Sequence, residues 1–216
     1  PVMIDGKYNY PSGSNSNALA RLEVGGYRQT ANDELSGILN GEYSILEGLK
    51  LKAMVGGQLY NNRMHENRQA IEGSGDQENH IQENSERNLY MSSNTVLAYD
   101  KKINDHTFGG LIGFSYESGQ FNSFYTLRKV ASPDFDIMAG WQSTLTENQG
   151  WGSEWSIYSA FARLNYNYKE KYLFEFNLRN DLSSKFSSEN RSGVFPSFSG
   201  AWRISEEQFY SDLSSS

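Results

Sequence analysis

The sequence predicts an all-β protein, an antiparallel up-and-down meander of about seven long strands. Three observations carry that prediction. Apolar side chains recur at every second residue over runs of roughly a dozen. The connections between those runs alternate strictly between short and long. The composition is aromatic-heavy at 14% Phe, Trp and Tyr, with 20 glycines and many small polar residues, so strong helix formers are scarce.

The first run is Glu34–Leu46. Leu35, Gly37, Leu39, Gly41, Tyr43 and Ile45 fall on one face, against Glu34, Ser36, Asn40, Glu42 and Ser44, with Ile38 the exception. Glu47-Gly48 then reads as a tight hairpin into Leu49–Asn61, where Leu49, Leu51, Ala53, Val55, Gly57 and Leu59 oppose Lys50, Lys52, Gln58 and Tyr60. Asn88–Tyr99 and His106–Ser118 pair across Lys101–Asp105, with Phe108, Gly110, Ile112, Phe114 and Tyr116 on one face. Ser156–Tyr168 and Tyr172–Leu182 pair across Lys169–Lys171. In the latter, Tyr172, Phe174, Phe176 and Leu178 oppose Glu175, Asn177, Arg179 and Asp181. The seventh run is Gly193–Ile204, in which Pro196 predicts a bulge or a strand start, because proline brings no donor to a ladder.

The long connections are Asn62–Arg87, Gly119–Trp155 and the shorter, polar Ser183–Ser192. A soluble sandwich gives no reason for such asymmetry. An outer-membrane barrel does, having short turns at one rim and long loops at the other. Runs of this length, at ~3.3 Å per residue and tilted by about 40°, cover about 30 Å of bilayer. Tyr43, Tyr99, Tyr116, Tyr166, Tyr168, Tyr172 and Trp202 cluster near the run ends, where amphipathic rings favour the interface. No uncharged apolar stretch approaches the ~20 residues of a membrane helix. The residues by themselves therefore favour an outer-membrane β-barrel and leave a soluble sandwich or propeller fragment as the alternative.

Charge and composition exclude several functions. With 19 Lys+Arg against 26 Asp+Glu, the net charge of −7 argues against a nucleic-acid partner. The absence of cysteine removes disulfides, thiolate metal sites and cysteine nucleophiles.

Three motifs then resemble one family. Phe161-Ala162-Arg163-Leu164-Asn165-Tyr166-Asn167-Tyr168-Lys169-Glu170-Lys171-Tyr172-Leu173 resembles the FgRLnYsYkdrYLl run of the SusC/RagA family, the TonB-linked outer-membrane transporters of Bacteroidetes. Asn177-Leu178-Arg179-Asn180-Asp181-Leu182-Ser183-Ser184-Lys185-Phe186 resembles its RxDGSSrF segment, with Leu182 for the usual Gly and Lys185 for the usual Arg. Phe195-Pro196-Ser197-Phe198-Ser199-Gly200-Ala201-Trp202-Arg203-Ile204-Ser205-Glu206-Glu207 resembles FPSvsaaWRISEE. Upstream, Asn17-Ala18-Leu19-Ala20 and Glu47-Gly48-Leu49-Lys50-Leu51 resemble the family more loosely.

The resemblance implies residues 1–32 as outer loop and strand entry and 33–216 as part of a TonB-dependent receptor barrel, with the plug domain absent. It implies an importer of oligosaccharides or peptides, capped by a SusD-like surface lipoprotein and driven by a TonB complex through the plug region of the parent. No enzyme activity, cofactor or metal is expected. The alternative is a soluble all-β glycan-binding module or a glycan-active enzyme fragment.

Candidate sites are few. His65, His80 and His106 lie apart, without metal spacing. Asp134 and Asp136 sit in a long connection but lack a calcium-loop ligand run. Glu175 and Asp181 could suggest a glycosidase pair, but their strand face favours a lumen-lining role. Trp141, Trp151 and Trp155 fall in the longest connection beside Asn148 and Gln149, where rings stack on ligand and amides hydrogen-bond it. Arg163, Asn165, Glu175, Asn177, Arg179, Asp181 and Arg203 are expected to face the lumen, because a charge at mid-bilayer costs about 2–4 kcal/mol.

Overall fold

The computed structural model describes residues 3–10, 17–74, 78–138 and 145–210, with the backbone alone at 145–146. A short ribbon pairs β1 (Met3–Ile4) with β2 (Lys7–Tyr8). Helix α1 (Ala18–Val24) follows, and Asn17 caps it by accepting from the N–H groups of Leu19 and Ala20 at 3.0 and 3.2 Å. Seven strands then form one sheet in sequence order: β3 (Gly26–Leu46), β4 (Leu49–Arg68), β5 (His80–Ile103), β6 (His106–Lys129), β7 (Leu145–Tyr168), β8 (Tyr172–Ser183) and β9 (Ser192–Trp202). Every strand is bonded to its sequence neighbours, as the meander predicts.

Strands β3–β7 are longer than the alternation indicated, at 20–24 residues. Residues 62–68, 80–87, 119–129 and 145–155, expected as connections, continue the ladders. Beyond an apolar band both faces of a strand meet water, so pairing persists while the period-two hydrophobic signal disappears. The long connections shrink accordingly to 69–79 and 130–144.

The chain divides into two compact units. The first comprises Pro1–Leu35, Leu59–Leu89 and Gln120–Ser153. It holds the buried hydrophobic residues of the described chain: Ala20 on α1, Ile71, Ile81 and Val130. That is a small satellite core beneath a helix and a connection, not the core of a sandwich.

The second unit comprises Ser36–Gln58, Tyr90–Gly119 and Glu154–Ser216, and contains the short turns. Gly48 closes the first turn at φ +83°, a value that a side chain strains to adopt, and a Cβ there would lie 2.3 Å from the Asp100 carbonyl. In this unit the two sheet faces are sorted by parity. The β8–β9 register aligns Phe174 with Gly200, Phe176 with Phe198 and Tyr172 with Trp202 on one face, and Glu175 with Ser199 and Asn177 with Ser197 on the other. The β7–β8 register likewise sets Leu164 against Phe176 and Tyr166 against Phe174, while Arg163 opposes Asn177 and Asn165 opposes Glu175. On β6, Phe108 packs on Tyr166 and Tyr116 on Tyr158, whereas a Cβ on Gly109 or Gly113 would touch Asn165 or Phe161 on the polar face. Lys50 and Lys52 of β4 pair with Glu42 of β3, which leaves Leu39, Tyr43, Leu51 and Val55 on the apolar face.

The apolar residues are the exposed ones. Along β8, Phe174, Phe176 and Leu178 are exposed while Glu175 and Asn177 between them are half-buried, and Leu39, Ile112 and Phe198 are 80%, 56% and 71% exposed. A soluble sandwich would show the reverse. An uncovered apolar face of this extent needs a non-aqueous neighbour.

Pro196 corrects one expectation. The β8–β9 register runs through it without a bulge. The bonds Arg203 N to Lys171 O and Ser183 N to Arg191 O place the hydrogen-bonded pairs at odd positions of β8. Leu178 and Pro196 therefore form a non-hydrogen-bonded pair, and the missing N–H faces away from β8.

If the apolar face meets hydrocarbon, Phe176→Arg in the full-length barrel is expected to lower its stability in lipid vesicles by about 2–4 kcal/mol, whereas Asn165→Arg on the opposite face changes it by less than about 1 kcal/mol. Denaturant unfolding in vesicles measures both.

Candidate functional site

The polar face of the second unit brings together six of the seven residues expected to line an interior. Arg163 Nε donates to Asn177 Oδ1 at 2.7 Å, and Asn177 Nδ2 donates to Glu175 Oε1 at 2.7 Å. Arg163 also approaches Glu175 at 3.8 Å. Arg179 Nε donates to Asp181 Oδ1 at 2.6 Å, its Nη2 donates to Ser159 Oγ at 2.9 Å, and its guanidinium lies 5.9 Å from the Phe161 ring centre. Asn165 faces Glu175 across the ladder. These pairs hold long side chains flat along the sheet and satisfy charge with charge. A hollow of about 390 Å³ opens beside them, lined among others by Asp100, Gly109, Asn165, Asn167, Glu175 and Ser199. Arg203 stands apart: it lies one residue past β9 and approaches Glu170 of the last short turn at 3.8 Å.

The tryptophan candidates do not share one loop. Trp141 lies outside the described residues. Trp151, Trp155, Asn148 and Gln149 belong to β7 rather than to a connection. In the second unit, Trp155 is half-buried over Gly119, where a Cβ would fall 2.4 Å from its indole nitrogen. Lys185 Nζ sits 4.6 Å from the Trp155 ring centre, and Tyr90 packs at 6.3 Å while donating to Glu117. In the first unit, Trp151 is 63% exposed with Phe121 at 4.6 Å, and Asn148 and Gln149 are exposed. Trp155 is thus a packed ring, and Trp151 an open one.

Sequence reasoning missed a cluster in the first unit. Asp136, on the connection after β6, accepts from Tyr27 Oη of β3 at 2.5 Å and from Asn67 Nδ2 of β4 at 2.9 Å. His65 Nε2 of β4 lies 2.9 Å from the same carboxylate, and His65 Nδ1 lies 2.6 Å from Glu83 Oε1 of β5. Asn67 is buried, and its Oδ1 has no partner. Beside it, buried Glu66 is held by Arg28 at 2.6 Å and Arg68 at 3.0 Å. The Tyr27, Asn67 and His65 donors hold the Asp136 carboxyl down to about 2. The Glu83 hydrogen bond, more than the opposing burial, raises His65 above its ordinary value. His65 and Asp136 are 71 residues apart, so no local motif could announce the pair. Among the described residues no group of three or more His, Cys, Asp or Glu could hold a metal ion.

A sheet with one exposed apolar face and one ion-paired face is the wall of a membrane β-barrel. The chain is 28% identical over 97% of its length to the TonB-dependent receptor SusC of Bacteroides thetaiotaomicron. It is 32% identical over 56% of its length to the TonB-dependent receptor P3 of Formosa agariphila. These alignments cover 21% and 12% of the two relatives, so the chain spans about a fifth or less of the length of the proteins it matches. The solved RagAB peptide transporter shares the fold, with a TM-score of 0.75 and 24% identity over 84% of this chain and 21% of that one. No family model matches the chain. The chain is thus similar to TonB-dependent receptors of the SusC/RagA type, and its fold is that of a sector of an outer-membrane β-barrel. The relatives are named as receptors and a transporter, not as enzymes.

Gly119→Val is expected to displace Trp155 and cost about 1–3 kcal/mol by overpacking. In a Trp155→Ala background the same substitution should cost almost nothing, giving a strongly non-additive double-mutant cycle in denaturant midpoints.

Proposed function

We propose that this segment forms part of the wall of an outer-membrane nutrient importer, with its apolar face against lipid and its polar face toward the barrel interior. The observation that carries the reading is the inverted burial of β8, whose Phe174, Phe176 and Leu178 are exposed while Glu175 and Asn177 are half-buried. A protein surrounded by hydrocarbon gains from that arrangement. The interior face is then lined by Arg163, Asn165, Glu175, Asn177, Arg179 and Asp181, already paired with one another. Such a surface is wet and polar without exposing a lone charge, and suits a path for hydroxyl-rich or amide-rich solutes. Arg203 serves the short-turn rim instead.

The imported solute is an oligosaccharide or a peptide, and the name of one structural neighbour, the RagAB peptide transporter, supports the peptide. A SusD-like lipoprotein captures it at the long-connection end, and the TonB complex supplies the work through a plug region of the parent. Trp151 is the best-placed ring for contact with solute or lipoprotein, because it is exposed beside Asn148 and Gln149. A soluble glycan-binding module or enzyme fragment fits less well, since neither uses an uncovered apolar sheet face.

Replacing Trp141, Trp151 and Trp155 by Ala in the full-length receptor tests the ligand role. Stacking of about 1 kcal/mol per ring predicts roughly fivefold weaker binding for each ring engaged. Isothermal titration with the nutrient and pull-down of the lipoprotein, on barrel that still inserts, measure the effect. Unchanged affinity for both would reduce these rings to packing residues.

A further inference from the structure

The connection after β6 is tied to the strands through an imidazole that has a carboxylate on each ring nitrogen. His65 Nδ1 meets Glu83 of β5 at 2.6 Å and Nε2 meets Asp136 at 2.9 Å. A neutral imidazole donates at one nitrogen and presents a lone pair at the other. With two acceptor-only partners, both contacts are favourable only for the imidazolium. Deprotonation sets a lone pair against one carboxylate and removes the charge that balances two.

We propose that residues 130–138 form a pH-sensitive strap, held against β3, β4 and β5 by protonated His65 and loosened at its centre when His65 loses its proton. The groups facing His65 are Glu83 from β5, Asp136 from the strap and Tyr27 from β3, whose ring centre lies 5.6 Å away. Its β4 neighbour Glu66 is engaged with Arg28 and Arg68. Arg63, also on β4, pairs with Asp33 of β3. Other bonds fix the ends of the strap independently of pH. Val130 N donates to the Asn79 carbonyl at 3.0 Å, and Arg128 Nη1 donates to the Met138 carbonyl at 2.6 Å. What titrates is therefore the His65 share of the attachment of Asp136, which Tyr27 and Asn67 keep bonded at either pH, and not the fold of the sheet.

The signs follow from the two groups. His65 is raised above 6.5, so its contribution is complete below that value and is lost as pH rises through the raised one. Asp136 is lowered to about 2 from 3.8, so its contribution is complete above 3.8 and is lost as pH falls toward 2. The strap is tightest in mildly acidic medium and looser in alkaline medium.

Hydrogen exchange of the full-length receptor in lipid nanodiscs, corrected for intrinsic rates, tests this. Between about pH 5.5 and about pH 8.5, protection of the amides near Asp136 should fall about tenfold, while the turn at Lys169–Lys171 stays unchanged and reports an intact barrel. His65→Gln should remove the pH response, and Asp136→Asn should leave the strap loose at both values. Tyr27→Phe, which removes one donor and no charge, should lower protection at acid pH and keep the response. Equal protection of the wild type at both pH values, or a response that persists in His65→Gln, would overturn the proposal.

Discussion

A hydrogen-bonded sheet satisfies its own backbone, but its side chains still need two surroundings, one for each face. Among the described residues no second layer supplies either. The residues of β8 and β9 that would form a core in a sandwich are bare rings and branched chains, and on β8 Glu175, Asn177 and Asp181 of the opposite face are the more sheltered. The arrangement is stable only when a different solvent touches each face, hydrocarbon on one and water or protein on the other. Most other features depend on that separation. The strict parity of the ladder keeps the faces distinct, because a one-residue slip would carry Arg179 and Glu175 into the apolar face.

The polar face is organised to limit the cost of crowding charges on a sheet. Arg163, Glu175 and Asn177 form one connected group, and Arg179, Asp181 and Ser159 another. Glycine supplies space where a large ring crosses a neighbouring strand: Gly113 under Phe161 and Gly119 under Trp155. Aromatic residues at the short turns pack along the apolar face, with Tyr172 and Trp202 nearly parallel at 6.5 Å and Tyr168 and Tyr172 at 6.4 Å. Glu207, beyond β9, then ties the turn by accepting from Lys171, Tyr172 and Trp202.

Much of this was legible in the sequence, for a physical reason. Where one face meets an apolar medium a slip in parity is costly, and Leu35–Ile45, Leu49–Leu59, Phe108–Tyr116 and Tyr172–Leu178 keep the parity apart from Ile38, Met54, Leu111 and Leu173. The outer portions of β3–β7 were not legible, because strands wet on both faces need no alternation and their Asn, Gln and Glu residues resemble loop composition. For the same reason Trp151 and Trp155 read as loop residues and are strand residues. Pro196 read as a disruption because its hydrogen-bonding parity is set by a partner strand, not by its own neighbours. The His65–Asp136 pair was invisible, since only the fold brings β4 and the connection after β6 together.

The central claim is that alternate residues of one strand meet different solvents. A scan of single cysteines along residues 172–182 of the full-length receptor, with any cysteine outside this chain replaced by Ser, measures it directly in intact outer membranes; this chain itself has none. A water-soluble maleimide should react with 175, 177, 179 and 181, while 174, 176 and 178 stay unlabelled and react with a lipid-soluble reagent instead. Equal aqueous labelling of both sets, or the opposite pattern, would contradict the account.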